Sequence, residues 1–250
     1  MRFCEVGKKY WLRYTGLFCL LTFICFGYFW INGKSLVWNG DGIAQHYKAL
    51  LYYAQWMREI IRHLLFHHTL EVPTFSMSFG LGADLFTTLQ YYAIGDPFNI
   101  LSVLVPSRFM VYYYEFMILL RLYLAGAAFS LYAKYMGKEN NAVLAGSITY
   151  AFCAFSLQLA VTHAFFLNPM IFFPLLLLGV EKIIKEHKPV LMVVMVMLSA
   201  ASNFYFFYML VLFVACYVLL KVVVPWEKGT FKKKAVMVLQ IGMYSWGGYF

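Results

Sequence analysis

The chain has 250 residues, of which 63% are hydrophobic, 20% aromatic and only 12% charged, with a mean hydropathy of +0.70. A soluble domain carries about 25% charged and about 45–50% apolar residues, so the composition excludes a soluble enzyme. The net charge of +9 would point to nucleic acid in a soluble protein, but here the basic residues stand in short clusters between apolar runs, which is the pattern of membrane topology, and no nucleic-acid partner is expected.

Long apolar runs satisfy their backbone groups in lipid only as helices, so an all-α polytopic membrane protein is expected. The first span covers residues 17–31, behind a head carrying Arg2, Lys8, Lys9 and Arg13. This resembles a signal peptide, but Tyr28-Phe29-Trp30-Ile31 offers no small-residue cleavage site, so the helix is read as uncleaved with a cytoplasmic N-terminus. A long extracytoplasmic segment, residues 32–108, follows. Six further spans are expected at residues 109–136, 142–161, 164–184, 189–203, 204–224 and 235–250. With the head inside, Lys134 and Lys138, then Lys182, Lys185 and Lys188, then Lys221, Lys228 and Lys232 to Lys234 all fall on the cytoplasmic side. The run from Pro189 to Val224 is barely long enough for two spans of about 20 residues each. Its polar break, Ser199 to Asn203, is the place for a tight outer turn, and two short helices there leave a dip in the outer face. The last run ends at Phe250 after rising only about 24 Å, so the chain reads as the N-terminal part of a longer membrane protein. The five cysteines are scattered, without metal-motif spacing or a disulfide framework.

The outer segment carries most of the candidate chemistry. Asp41 sits between Gly40 and Gly42, about ten residues beyond the first span, in what reads as a turn rather than a helix. Apolar residues at three- and four-residue steps from about Ala44 to Phe66, with Lys48, Arg58, Glu59 and Arg62 between them, predict an amphipathic helix lying in the membrane interface. Turns follow at Gly80-Leu81-Gly82 and Asp96-Pro97. An aqueous acid framed by interfacial helices points to a site at the membrane surface, although Asp41 could equally serve its turn. Asp84 and Asp96 read as turn residues. His63, His67 and His68 include an i,i+4 pair, but with no nearby carboxylate or cysteine motif they read as headgroup neighbours rather than a metal site. His163 and Asn168 stand at the outer end of two spans, on the same side as Asp41. Glu115 and Arg121 lie inside a span, where a charge costs about 2.5–3.5 kcal/mol. Six positions put them about 240° apart, so each needs a partner on another helix, a water-filled cavity or a bound anion. An arginine fork matches phosphate oxygens.

The order Asp41-Gly42 with Gln45, an amphipathic helix, Gly80-Leu81-Gly82, Tyr92, Pro97-Phe98 and, much later, Ser202-Asn203-Phe204-Tyr205-Phe206-Phe207-Tyr208 resembles the YfhO family of bacterial membrane proteins over essentially the whole chain. The resemblance implies a GT-C-like transmembrane module in the bacterial plasma membrane. Enzymes of that type move a sugar from a polyprenyl-phosphate carrier to an extracytoplasmic acceptor, here a cell-wall polymer such as lipoteichoic acid. It implies Asp41 as the catalytic base, Arg121 or Arg58 as compensation for the leaving phosphate, Asn203 and Tyr205 as cavity lining and Asp84 as a second acid; Gln45, Glu115 and His163 are substrate-binding candidates beside them. The sequence indicates no metal ligands, although a divalent metal could assist the leaving phosphate. A flippase for lipid-linked sugars, using Glu115 and Arg121, and a non-catalytic membrane scaffold are the rival readings.

Overall fold

A computed structural model describes residues 7–79, 81–223 and 243. The protein is an all-α polytopic membrane protein, and the expected run at residues 235–250 lies outside the described residues except for Met243. Among the described residues four helical stretches are long and apolar enough to cross a membrane: Lys8–Ile31, Ser107–Tyr135, Ala164–Glu186 and Phe204–Lys221.

Helix α1, Lys8–Ile31, starts well before the purely apolar run because Tyr10 and Tyr14 have packing partners. Its buried residues Tyr10, Tyr14, Phe18, Thr22 and Phe26 recur every fourth position, while Leu20, Phe23 and Ile24 stay exposed. A helix apolar on every side, with one stripe buried, suits a bundle whose outer surface faces lipid. Helix α4, Met110–Tyr135, is the centre of the bundle. At about 1.5 Å per residue it is long enough to span with length to spare. It meets α1 and α5, Asn140–Ala151, through Tyr10, Ser130 and Ser147, whose hydroxyls form a buried cluster with 2.7 Å bonds from Ser130 to each of the other two. Gly126 makes the crossing possible: a Cβ there would lie 2.3 Å from the Tyr14 hydroxyl and 2.9 Å from the Ser147 carbonyl.

The expected span at residues 142–161 is broken. Helix α5 and helix α6, Ala154–Thr162, are bent by 42° around Phe152 and Cys153. A 3-10 turn, Ala164–Leu167, leads into α7, Asn168–Glu186. Helix α8, Val190–Ser202, has 13 residues. That is about 20 Å, short of a hydrocarbon core of about 30 Å. Its partner α9, Phe204–Val223, begins after a one-residue break at Asn203. Of the two short helices expected here only α8 is short, α9 running for 20 residues. The preceding segment packs against the end of α8, with Gly95 so close that a Cβ would stand 2.0 Å from the Ala201 carbonyl oxygen.

Gly95 also has φ +86°, a conformation that disfavours any side chain. Gly95→Ala is expected to push this segment away from α8. Unfolding of the detergent-solubilised protein should show a lowered midpoint, equivalent to roughly 1–3 kcal/mol for overpacking alone, whereas Gly137→Ala, at φ +75° in open space, should cost less.

Candidate functional site

Residues 32–108 build one side of the site. A π-helical turn, Gly42–His46, runs directly into α2, Tyr47–Arg62. Helical turns of this wider kind recur at functional sites. Asp41 opens it with φ −61° and ψ −26°, so the acid belongs to the helix and not to a free-standing turn. The reason is local: the Gly40 carbonyl already accepts from the Ala44 amide at 2.9 Å, which winds the chain around Asp41. The wide turn brings positions 41, 45 and 46 to one end of the helix. Gln45 Nε2 donates to Asp41 Oδ1 at 2.8 Å, and the Tyr92 hydroxyl donates to Gln45 Oε1 at 2.7 Å. Among the described residues Oδ2 of Asp41 accepts no hydrogen bond. The carboxylate is half-buried, held by one oxygen and open at the other.

The other side comes from the break between α6 and α7. His46 is 5% exposed, and its Nε2 lies 2.7 Å from Nδ1 of His163. Rings continue outward from this pair. His163 stacks on Phe166 with centroids 5.1 Å apart, Phe166 meets Phe206 at 4.6 Å, and Phe206 meets Tyr205 at 5.2 Å. Trp38 approaches the opposite edge of His163 at 6.1 Å, and Tyr91 meets Phe165 at 5.3 Å. Asn203 caps α9, its Oδ1 accepting from the Phe206 amide at 3.2 Å. Asp41, Gln45, His163, Asn203 and Tyr205 are thus joined through one run of hydrogen bonds and aromatic contacts. Tyr205 and Tyr91 remain well exposed along it.

Burial, with His163 next to it, holds the His46 imidazole down at about 4, although Asp41 pulls the other way. The neutral ring is favoured in the fold, and the unfolded chain binds a proton more readily near 6.5. Stability from this group is therefore complete above pH 6.5 and is lost as pH falls toward about 4, at about 1.4 kcal/mol per unit of difference. The unfolding midpoint of the wild-type protein should fall across that window, and His46→Gln should flatten the fall.

The other expected residues do different work. Arg121 is 4% exposed: Nη2 donates to Asp96 Oδ2 at 2.8 Å, Nε to Asn168 Oδ1 at 2.9 Å, and the guanidinium lies over the Phe98 ring. Asn168 in turn donates to Ser202 at 3.0 Å. Asp96 is itself 3% exposed, and its second oxygen accepts from the Phe98 amide at 2.9 Å. Its turn reading was half the answer, since the same carboxylate is the counter-ion of the intramembrane arginine. Glu115 accepts from the Leu36 amide at 3.0 Å and pins the chain leaving α1. Arg58 stands about 20 Å further along the helix from Gln45. It donates to the carbonyls of Ser102, Val103 and Val105, closing the 3-10 turn Ile100–Leu104. Beside it, Gln55, Glu59 and Arg62 complete a shallow cavity of about 340 Å³. Asp84 caps α3, Leu85–Gln90, accepting from Thr87 at 2.7 Å and 2.6 Å, and these bonds hold its carboxyl below the ordinary range. Among the described residues, none of Arg121, Asp96, Glu115, Arg58 and Asp84 is hydrogen-bonded to the Asp41 carboxylate, and no group of three His, Cys, Asp or Glu side chains gathers as a metal centre.

The family model described as bacterial membrane protein YfhO matches residues 16–247. The chain belongs to the YfhO family. A curated YfhO protein of Bacillus subtilis (strain 168), itself described as uncharacterized, is 26% identical over 207 residues. That alignment covers 77% of this chain and 22% of the relative, so the chain spans under a quarter of the length of the YfhO protein it matches. No solved structure matches.

Sequence reasoning passed over His46 and Tyr92 as site members. The signal was there: Gln45 and His46 stand four and five residues after Asp41, the spacing that shares one end of a wide helical turn. Tyr92 had no such signal, because only the fold brings it across 47 positions to Gln45.

Proposed function

We propose that this YfhO protein is the site-bearing N-terminal part of a GT-C-like glycosyltransferase of the bacterial plasma membrane, with its site facing outward. It would transfer a sugar from a polyprenyl-phosphate carrier to a cell-wall polymer such as lipoteichoic acid. The observation that carries the reading is the Asp41–Gln45–Tyr92 chain. A carboxylate fixed at one oxygen and open at the other, beside exposed aromatic rings, suits a general base for a hydroxyl held at the membrane surface. The acceptor oxygen attacks the anomeric carbon, its proton passes to Asp41, and the bond to the carrier phosphate breaks. Tyr91, Phe166 and Tyr205 offer flat apolar faces to the C–H sides of a sugar ring. Arg58 and Arg121 already bond partners within the protein, so other groups are expected to compensate the charge of the leaving phosphate. The same commitment of Arg121 and Glu115 within the protein weighs against a flippase built on those two charges.

Reconstituted full-length protein, given a polyprenyl-phosphate sugar in the outward leaflet and a lipoteichoic acid acceptor, should form glycosidic bonds and release free polyprenyl phosphate. Carrier crossing between leaflets without bond formation would assign a flippase instead. Neither event, with the protein well folded, would leave the scaffold reading.

A further inference from the structure

We propose that His46 is a positioning residue: its hydrogen bond to His163 is the clasp that sets Asp41 against the wall formed by the α6–α7 break. The inference rests on the sugar-transfer reading of the site.

Among the described residues the Asp41 carboxylate is bonded only to Gln45, on its own turn, and the Gln45 side chain only onward to Tyr92, in the same 32–108 segment. Those bonds hold the acid within its segment and say nothing about its place relative to the membrane bundle. Among the described residues 38–46, the one hydrogen bond that crosses to the bundle is His46 Nε2 to His163 Nδ1, at 2.7 Å and 117 positions apart in sequence. His46 ends the π-helical turn that Asp41 begins, so the turn transmits the position of one to the other. His163 belongs to the wall, through its stacking on Phe166.

The clasp is also specific to an imidazole-like donor or acceptor in a closed space. His46 is packed edge-on between Phe165 and His163, each 4.9 Å away by ring centroid, with Tyr92 at 5.6 Å. Its other nitrogen, Nδ1, is buried with no hydrogen-bond partner. The groups facing it are Asp41 on its own turn, His163 on the break, and Tyr92 on the loop between α3 and the bundle. One proton added to the histidine pair leaves a nitrogen on one ring to accept from the other. Two protons leave two donors facing each other, and the clasp opens.

Two substitutions at one position separate the possibilities, because Gln places an amide nitrogen near the location of Nε2 while Phe keeps the ring and removes the bond. In the full-length protein, His46→Phe should lower kcat roughly ten- to hundredfold with KM little changed. It should also remove hydrogen-exchange protection from the amides of residues 40–46. His46→Gln should stay within about threefold of wild type, keep that protection, and lose the acid dependence of the protection that wild type shows. Wild-type kcat and protection in His46→Phe would overturn the proposal, and so would a His46→Gln protein indistinguishable from His46→Phe. Were the wild-type protein to transfer no sugar, the functional reading would fail, while the exchange measurements would still decide for or against the clasp.

Discussion

Arg121→Leu is expected to lose about 3–5 kcal/mol of stability, the usual cost of stripping one partner from a buried ion pair. Asp96, 3% exposed, would be left as an uncompensated carboxylate beneath the surface of the bundle. Asn168 would lose the donor at its Oδ1, loosening its bond to Ser202 at the end of α8. The effect should appear as a large downward shift in the unfolding midpoint of the detergent-solubilised protein. Asp96→Asn should cost less, because an amide oxygen can still accept from Nη2. Combining Arg121→Leu with Asp96→Leu should recover much of the loss, since the pair contributes more by being matched than by being charged. A single Arg121→Leu protein within about 1 kcal/mol of wild type would mean that water already reaches the pair.

Asp41→Asn has the second large expected effect, and it falls on chemistry rather than on folding. Asparagine keeps an oxygen for Gln45 Nε2 and disturbs no buried contact, so the unfolding midpoint should move little. The proton of the acceptor hydroxyl would lose its destination, which lowers the rate of transfer by about 10²–10⁴-fold. Gln45→Leu, which frees Asp41, and Tyr92→Phe, which frees Gln45, should fall between, because neither removes the carboxylate. A rate for Gln45→Leu as low as that for Asp41→Asn would place Gln45 in contact with the substrate.

The helices of this fold were legible because lipid imposes a simple rule, an unbroken apolar run of sufficient length. The same rule hid the breaks. Hydropathy does not change at Phe152 and Cys153, so residues 142–161 read as one span although the helix bends there by 42°. The short α8 was visible because Ser199 to Asn203 interrupts the run with polar residues. For the site, position was more legible than partnership. Asp41 stood out as an acid near the end of a span, and His163, Asn203 and Tyr205 as polar or aromatic residues on the same side. The need of Arg121 for a counter-ion followed from its place within a span. The identity of that counter-ion did not, because Asp96 satisfies two demands at once and its turn signature accounted for only one. The partners of Arg58 were hidden for a related reason: a guanidinium that fits phosphate oxygens fits the carbonyls at the end of a 3-10 turn equally well, and sequence does not say which is nearer.

The central claim, that Asp41 serves sugar transfer outside the membrane, is tested most directly by the sugar content of lipoteichoic acid. Mass spectrometry would compare cells carrying the full-length parent gene, its deletion, and Asp41→Asn at equal membrane abundance. The account predicts that the sugar disappears in both altered strains. Sugar retained with Asp41→Asn but lost on deletion would contradict the role of Asp41, and sugar unchanged on deletion would contradict the assigned reaction itself.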